Sequence, residues 1–251
     1  MEQDLLLKSY LKRLRLPAIA EAYQKVAQEA AQTNARYEQY LLTLLEQEVL
    51  QREANQQKRR LMQARFPVLR TLDSFDFAAI PSLNKAKVLE LTRGEYIDKR
   101  ANVILVGDVG TGKTHVAISL GICACRQGKR VRFYTAAGLI NDMVEAQAEN
   151  RLSKLQAQLT KQDLVILDEV GFIPFSQSGA HLLFQFCSAR HERGSLLITT
   201  NLNFADWTQV FGDERLTAAL LDRLTFHSHI IEFRGESFRF RQSLKAQTNP
   251  A

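Results

Sequence analysis

One glycine-rich segment constrains this chain more than any other feature. It fits the pattern G-x-x-x-x-G-K-[ST] with the residues Gly107, Asp108, Val109, Gly110, Thr111, Gly112, Lys113 and Thr114. An apolar run at 103–106 precedes the segment, and apolar residues at helical spacing follow it. A strand, a glycine-rich loop and a helix in this order cradle phosphate, because the loop N–H groups and the helix N-terminus both attract phosphate oxygens. The segment therefore predicts a nucleotide-binding P-loop rather than a plain glycine-rich turn.

Two neighbouring acids are the second candidate for chemistry. Asp168 and Glu169 follow the apolar run at 164–167, and ligands of parallel sheets bind at the carboxyl ends of strands. We expect Lys113 to contact the β- and γ-phosphates, and Asp168 and the Thr114 hydroxyl to hold Mg²⁺. Glu169 would then polarise the attacking water. A merely polar strand end is the alternative, and the upstream P-loop argues against it.

Three more polar residues stand where a nucleotide site needs them. Asn201 follows the apolar run at 196–200 and either orients the nucleophilic water or caps the next helix. Arg215 and Arg223 lie on the helical stretch before the last apolar run. Each is either an ordinary solvated arginine or a group that reaches the γ-phosphate held by a neighbouring subunit.

Apolar runs and helical patterns alternate after residue 71. The runs are at 102–106, 131–134, 164–167, 196–200 and 229–233, and the helical patterns are at about 113–127, 137–161, 178–193 and 203–224. Continuous apolar strands separated by helices indicate a parallel sheet that is covered on both faces. The sequence therefore predicts an α/β domain over 71–251 with a three-layer architecture and a five-stranded parallel sheet.

Residues 1–70 predict a small all-α N-terminal domain. Apolar residues recur at helical spacing, and the segment contains no glycine. The segment carries a net charge of +4 out of +6 for the whole chain. Two basic clusters contain Lys8, Lys12, Arg13 and Arg15, and Lys58, Arg59 and Arg60. They either contact the phosphates of a nucleic acid or are the solvated faces of a helical bundle.

Several classes of protein are excluded by the sequence. No apolar run approaches the ~18 residues of a membrane span, and the acidic start of the chain is unlike a secretory signal. The three cysteines and five histidines show no metal-ligand spacing. We expect a soluble cytoplasmic protein without a membrane partner.

The motifs together resemble AAA+ ATPases of the DnaA/DnaC branch, and more closely the IstB transposition helper ATPases of bacterial insertion sequences. The resemblance rests on GDVGTGKTH, LVILDE, LLITTN and LLDRLTFHSHIIEF in this order, on LRLPAIA and TLDSFDF before them, and on RGESFR after them. It implies an AAA+ P-loop fold, with Asn201 as the sensor-1 residue and Arg223 as the arginine finger. Arg239 would be a nucleotide-binding arginine of the sensor-2 type, although the C-terminal lid is truncated.

The resemblance also implies a function. The chain would be a bacterial ATPase that uses ATP and Mg²⁺, assembles as a ring or helical homo-oligomer on double-stranded DNA, and recruits or stimulates an IstA-like transposase. DNA binding would be largely sequence-nonspecific, with residues 1–70 serving in DNA or partner binding and in assembly. The segment 136–161 resembles a helical insertion directed at nucleic acid, and a solvated helical hairpin is the alternative.

Two other functions share some of these motifs. The first alternative is a DnaC-like replicative helicase loader that binds single-stranded DNA. A P-loop kinase for a small molecule is a third class. The long distance between the P-loop and Asp168, together with Asn201 and Arg223, counts against a kinase.

Overall fold

The structure, a computed structural model, describes residues 2–238. The described chain forms two units, one up to Arg59 and one from Arg60 onward. The sequence predicts a division after Arg70 instead. The residues between these two positions belong to the second unit because Leu61 and Phe66 pack against its buried core.

Three helices make up the first unit. They are α1 (Glu2–Arg13), α2 (Pro17–Gln32) and α3 (Tyr37–Ala64), of which α3 continues past the division. The proline begins α2, where its fixed φ suits a first helical turn. The core of the unit consists of Leu11, Ile19, Tyr23, Val26 and Leu44. The helical prediction for this part of the chain is therefore confirmed.

A buried carboxylate connects α3 to the start of α2. Glu48 on α3 accepts hydrogen bonds from the backbone N–H groups of Ala18, at 2.9 Å, and Ile19, at 3.3 Å. Leu16, the residue before α2, offers no capping side chain, so Glu48 takes the place of a cap for two N–H groups that lack helical partners. Burial raises the pKa of Glu48, but hydrogen bonds from Arg52, Ile19 and Ala18 outweigh burial and bring the pKa below its ordinary value.

The second unit alternates strands and helices. Its helices are α4 (Lys85–Leu91), α5 (Glu95–Asp98), α6 (Lys113–Arg126), α7 (Ala136–Ala148), α8 (Leu152–Thr160), α9 (Gln177–Arg190), α10 (Thr208–Phe211) and α11 (Glu214–Thr225). Its strands are β1 (Asn102–Gly107), β2 (Val131–Thr135), β3 (Leu164–Val170), β4 (Ser195–Thr200) and β5 (Ser228–Phe233). Short 3₁₀ turns occupy Leu72–Ser74, Phe77–Ala79 and Phe204–Asp206.

The five strands form one parallel sheet in the order β2-β3-β4-β1-β5. Alternate side chains of each central strand enter two separate buried cores, so Val103 and Leu105 face one core and Ile104 faces the other. The first core includes α4, α5 and α6, and the second includes α7, α9 and α11. This three-layer α/β architecture confirms the predicted fold class. It also places β4 between the P-loop strand β1 and the acidic strand β3.

Two predicted helical stretches are interrupted in the structure. The stretch 137–161 divides into α7 and α8 at Asn150, whose φ of 55° does not continue a right-handed helix. The stretch 203–224 breaks at Gly212, which has a φ of 72°, and α11 then begins with Asp213 as its cap. Within the part of the chain that the structure describes, no helix has the length and apolar character needed to cross a membrane.

Candidate functional site

The P-loop connects β1 to α6 through two glycines in the left-handed region. Gly110 has a φ of 78° and Gly112 a φ of 88°, and such values favour glycine because it lacks a Cβ. A Cβ on Gly112 would also lie 2.7 Å from Cε2 of Phe75. The helix α6 starts immediately afterwards, at Lys113, so its unpaired first-turn N–H groups and its positive end lie at the loop.

The P-loop lysine is buried and held within its own loop. Its Nζ donates hydrogen bonds to the carbonyl oxygens of Gly107, at 2.8 Å, and Asp108, at 2.7 Å. The hydroxyl of Thr111 donates to the same Asp108 carbonyl at 2.7 Å. These contacts hold Lys113 at the centre of the loop, where its positive charge would stabilise the negative charge of a bound phosphate.

Asp168 lies at the carboxyl end of β3, directly beside the P-loop helix. Its side chain is buried, and its Oδ1 accepts hydrogen bonds from the Thr114 hydroxyl, at 2.9 Å, and the Thr199 hydroxyl, at 2.5 Å. A carboxylate and a hydroxyl so close together are the hard oxygen donors that Mg²⁺ prefers. Thr114 and Asp168 thus fit a magnesium ion that accompanies a nucleotide on the P-loop.

Glu169 has an unusual backbone conformation. Its φ of 59° lies in the left-handed region, which non-glycine residues rarely adopt. Leu167 pairs with Ile198 and Val170 pairs with Thr200, so the β3–β4 register shifts between them. The shift is a bulge with two residues of β3 opposite one residue of β4. The Glu169 side chain is exposed and lines the cavity above the P-loop.

That cavity has a volume of about 260 Å³. Lys113, Thr114, Glu169 and Asn201 contribute to its polar side. Phe75, Val68, Ile80 and Ile118 contribute apolar surface. A cavity with a cationic, hydroxyl-bearing floor and an apolar wall suits a ligand that has phosphates at one end and a flat ring at the other.

A family comparison agrees with this geometry. The sequence profile of the family described as "IstB-like ATP binding protein" matches residues 9–246.

The chain belongs to the IstB-like ATP-binding protein family.

Individual relatives of the IstB-like chain are similar over almost their whole length. An "Insertion sequence IS21 putative ATP-binding protein" of Pseudomonas aeruginosa is 38% identical over 240 residues, covering 96% of this chain and 91% of that protein. An "Insertion sequence IS5376 putative ATP-binding protein" of Geobacillus stearothermophilus is 36% identical over 233 residues, covering 93% of each chain. Both findings confirm the family inferred from the motifs.

The fold resembles solved structures at low sequence identity. The "DnaC helicase loader" crystal structure superposes with a TM-score of 0.51 at 16% identity, over 59% of this chain and 86% of that one. This similarity concerns the fold alone. Together with the family, the fold and the site establish the IstB-like chain as an ATPase of the AAA+ type.

The structure assembles most of the predicted site residues of the IstB-like chain. Lys113, Thr114, Asp168, Glu169 and Asn201 converge on one edge of the sheet. The residue before the 3₁₀ turn Phe204–Asp206 is Asn203, so Asn201 is not the helix cap that the sequence allowed as an alternative. The side chain of Asn201 is exposed at the cavity, where it is available to a water molecule.

Two predicted arginines stand outside this group. The guanidinium of Arg223, on α11, lies over the ring of Phe184 at 4.8 Å from the centroid and is not among the residues lining the cavity. Within the described residues, its buried Nη1 has no hydrogen-bond partner. Arg239 lies outside the described residues.

Two parts of the site lie within quoted motifs, but no role was predicted for them. Thr199, on β4, contacts both acidic residues, and its only signal in the sequence was a hydroxyl within a strand covered on both faces. Residues 67–80 supply much of the apolar wall, including Phe75. They lie before the first strand and include the TLDSFDF motif, for which no contact with the site was predicted.

Proposed function

We propose that the IstB-like chain is an ATP-dependent, largely sequence-nonspecific duplex-DNA-binding ATPase of DNA transposition. It assembles on target DNA as a homo-oligomer and recruits or stimulates the transposase of its element, in the bacterial cytoplasm. The single observation that carries this proposal is the nearly full-length similarity to insertion-sequence ATP-binding proteins, combined with the convergence of the P-loop lysine and threonine, the acidic pair and Asn201 at one end of the sheet.

The proposed chemistry assigns one task to each residue. The loop N–H groups and Lys113 bind the β- and γ-phosphates of ATP. Thr114 and Asp168 would hold Mg²⁺, which neutralises phosphate charge when bound. Glu169 accepts a hydrogen bond from water as the water oxygen attacks the γ-phosphorus and the bond to the bridging oxygen breaks, yielding ADP and phosphate. Asn201 orients that water, and Arg223 contacts the γ-phosphate of a neighbouring subunit.

The basic residues of the first unit support a contact with the DNA backbone. Lys12, Arg13 and Arg15 are exposed around the end of α1, whereas Lys8 is paired with Asp4 at 2.9 Å. Exposed cations that neutralise DNA phosphates release the counterions bound there. A plot of log affinity against log salt concentration therefore becomes steeper by about 0.9 for each phosphate contact. We propose that residues 1–70 serve in DNA or partner binding and in assembly.

Duplex binding at several salt concentrations tests this proposal. Wild-type protein with ATP should bind duplex DNA cooperatively, and Lys113→Ala should not, because it cannot hold the nucleotide. The variant with both Lys12→Gln and Arg13→Gln should show a shallower salt dependence. The matched control with Lys25→Gln and Arg36→Gln removes the same charge from exposed positions on the same unit. If the two double variants show the same salt dependence, the cluster at the end of α1 makes no special contact with the DNA backbone.

The alternative is a DnaC-like helicase loader that binds single-stranded DNA. The ATPase core of such a loader would carry the same P-loop and acidic motifs. Competition between single-stranded and duplex DNA of equal length, at one salt concentration, separates the two functions. If single-stranded DNA competes better, and if the protein stimulates a replicative helicase rather than a transposase, the chain is a helicase loader and the transposition proposal is wrong.

A further inference from the structure

We propose that Thr199 is a positioning residue for ATP hydrolysis, because its hydroxyl holds both members of the acidic pair in place. The inference rests on the proposed roles of Asp168 and Glu169. Thr199 is the penultimate residue of β4, the strand between β1 and β3, and its side chain is 1% exposed. The side chain is therefore shielded from bulk solvent.

The hydroxyl of Thr199 makes two hydrogen bonds with different partners. It donates to Oδ1 of Asp168 at 2.5 Å and accepts from the backbone N–H of Glu169 at 2.9 Å. A threonine hydroxyl has one hydrogen to donate and lone pairs with which to accept. The Glu169 N–H approaches the lone pairs, so the single hydrogen points at Asp168. One side chain therefore fixes a carboxylate and the adjacent peptide group at the same time.

The bulge in β3 makes this second contact necessary. Asp168 and Glu169 together oppose Thr199, because the ladder between β3 and β4 resumes only at Val170. The half-buried N–H of Glu169 bonds to the Thr199 side chain, because a bulge leaves its extra residue unpaired in the ladder. Thr199 supplies the acceptor from the facing strand.

The same contact stabilises the left-handed backbone of Glu169. A non-glycine residue is strained in this region, because its Cβ comes too close to the following carbonyl oxygen. Successive side chains of a regular strand point to opposite faces, whereas the bulge directs Glu169 into the cavity while Asp168 stays against Thr114. The hydroxyl of Thr199 thus holds both the carboxylate of Asp168, proposed to bind magnesium, and the backbone that directs the proposed base, Glu169, into the cavity.

Removal of the hydroxyl alone tests the inference. Thr199→Val keeps the shape of the side chain, and Thr199→Ser keeps the hydroxyl. Partners that orient a metal ligand typically contribute ~10–100-fold to affinity or activity. We expect Thr199→Val to lower kcat by about this factor, and to weaken ATP binding in the presence of Mg²⁺ while leaving Mg²⁺-free nucleotide affinity unchanged. Thr199→Ser should restore both quantities.

A second buried hydroxyl on the same strand provides the control. Ser195 lies at the opposite end of β4, is fully buried, and donates to the Tyr96 carbonyl at 3.2 Å. Ser195→Ala should lower the thermal unfolding temperature without changing kcat per folded molecule or the effect of Mg²⁺ on affinity. If Ser195→Ala and Thr199→Val change kcat equally, or if Thr199→Val hydrolyses ATP at the wild-type rate, the positioning role is overturned.

Parallel variants separate this inference from the roles on which it rests. Glu169→Gln and Asp168→Asn should lose hydrolysis if those roles are correct. If these two variants hydrolyse ATP at the wild-type rate, the proposed roles of the acidic pair are wrong. If they are inactive while Thr199→Val is fully active, only the role of Thr199 is wrong. If Thr199→Val does not fold, Thr199→Ala is measured by the same criteria. A folded Thr199→Ser with no recovery of kcat also overturns the inference.

Discussion

The hydroxyl of Thr114 donates a 2.9 Å hydrogen bond to Oδ1 of Asp168, which joins the first turn of α6 to the carboxyl end of β3. The two residues are 54 positions apart in the chain. Their contact brings together the oxygen donors that the P-loop and the acidic strand contribute separately. The magnesium site proposed here is therefore a product of the sheet order and not of either motif alone.

Thr114→Ala should weaken nucleotide binding mainly in the presence of Mg²⁺. A hydrogen bond or ligand contact to a charged group is worth about 1.5–3 kcal/mol, or ~10–100-fold in affinity. Calorimetric titration with ATP, with and without Mg²⁺, measures this difference. Thr114→Ser retains the hydroxyl and should behave as wild type. A loss of affinity that is equally large without Mg²⁺ would show that the hydroxyl acts on the phosphates or on the loop.

Glu169→Gln should bind ATP and hydrolyse it slowly. The amide is nearly isosteric with the carboxylate but is a poor proton acceptor, and a general base typically contributes ~10²–10⁴-fold to the rate. The variant should therefore bind ATP with an affinity near the wild-type value but release phosphate much more slowly. Wild-type phosphate release by this variant would assign the base to another residue.

The local parts of this site were predictable because they are contiguous in the sequence. The P-loop and the Asp168–Glu169 pair each occupy one short segment, and the strand and helix patterns around them place both at one edge of a parallel sheet. The double contact of Thr199 was not predictable, since it depends on a register shift between strands about 30 residues apart. The packing of Phe75 on Gly112 likewise needs tertiary structure.

The left-handed backbone of Glu169 predicts that glycine is more stable than alanine at this position. Both Glu169→Ala and Glu169→Gly remove the carboxylate and should abolish hydrolysis. Only glycine occupies a φ of 59° without steric cost, so the glycine variant should be more stable than the alanine variant by up to about 1 kcal/mol. Chemical unfolding of the two variants measures the difference. A more stable alanine variant would show that the strain of the left-handed backbone is smaller than the extra entropy that glycine loses on folding.

Arg223 should act on the nucleotide of a neighbouring subunit. Arg223→Ala and Lys113→Ala are each expected to be nearly inactive, since an arginine finger is worth ~10³–10⁵-fold and the P-loop lysine is needed for binding. In a mixture, an Arg223→Ala subunit with an intact P-loop can receive Arg223 from a Lys113→Ala neighbour. Hydrolysis by the mixture should therefore exceed that of either variant. Two folded and co-assembled variants that stay inactive together would argue against action between subunits.

Glu48 should make the stability of the first unit depend on pH. Its folded-state pKa is lowered, because hydrogen bonds from Arg52, Ile19 and Ala18 outweigh the effect of burial. Its contribution is therefore fully present above the unfolded-state pKa, about 4.3, and is lost as pH falls through the folded-state value.

Glu48→Ala removes the acceptor of two N–H groups at the start of α2, so at neutral pH it should lower the unfolding free energy by about 1–3 kcal/mol. Glu48→Gln keeps one acceptor oxygen without the charge and should lose less. Urea unfolding across a pH series measures both variants against wild type. The gap between wild type and each variant should narrow once the pH falls below ~4.3, because only the wild-type carboxylate becomes protonated there. A constant gap across the series would show that the charge of Glu48 contributes nothing and that the side chain acts through packing alone.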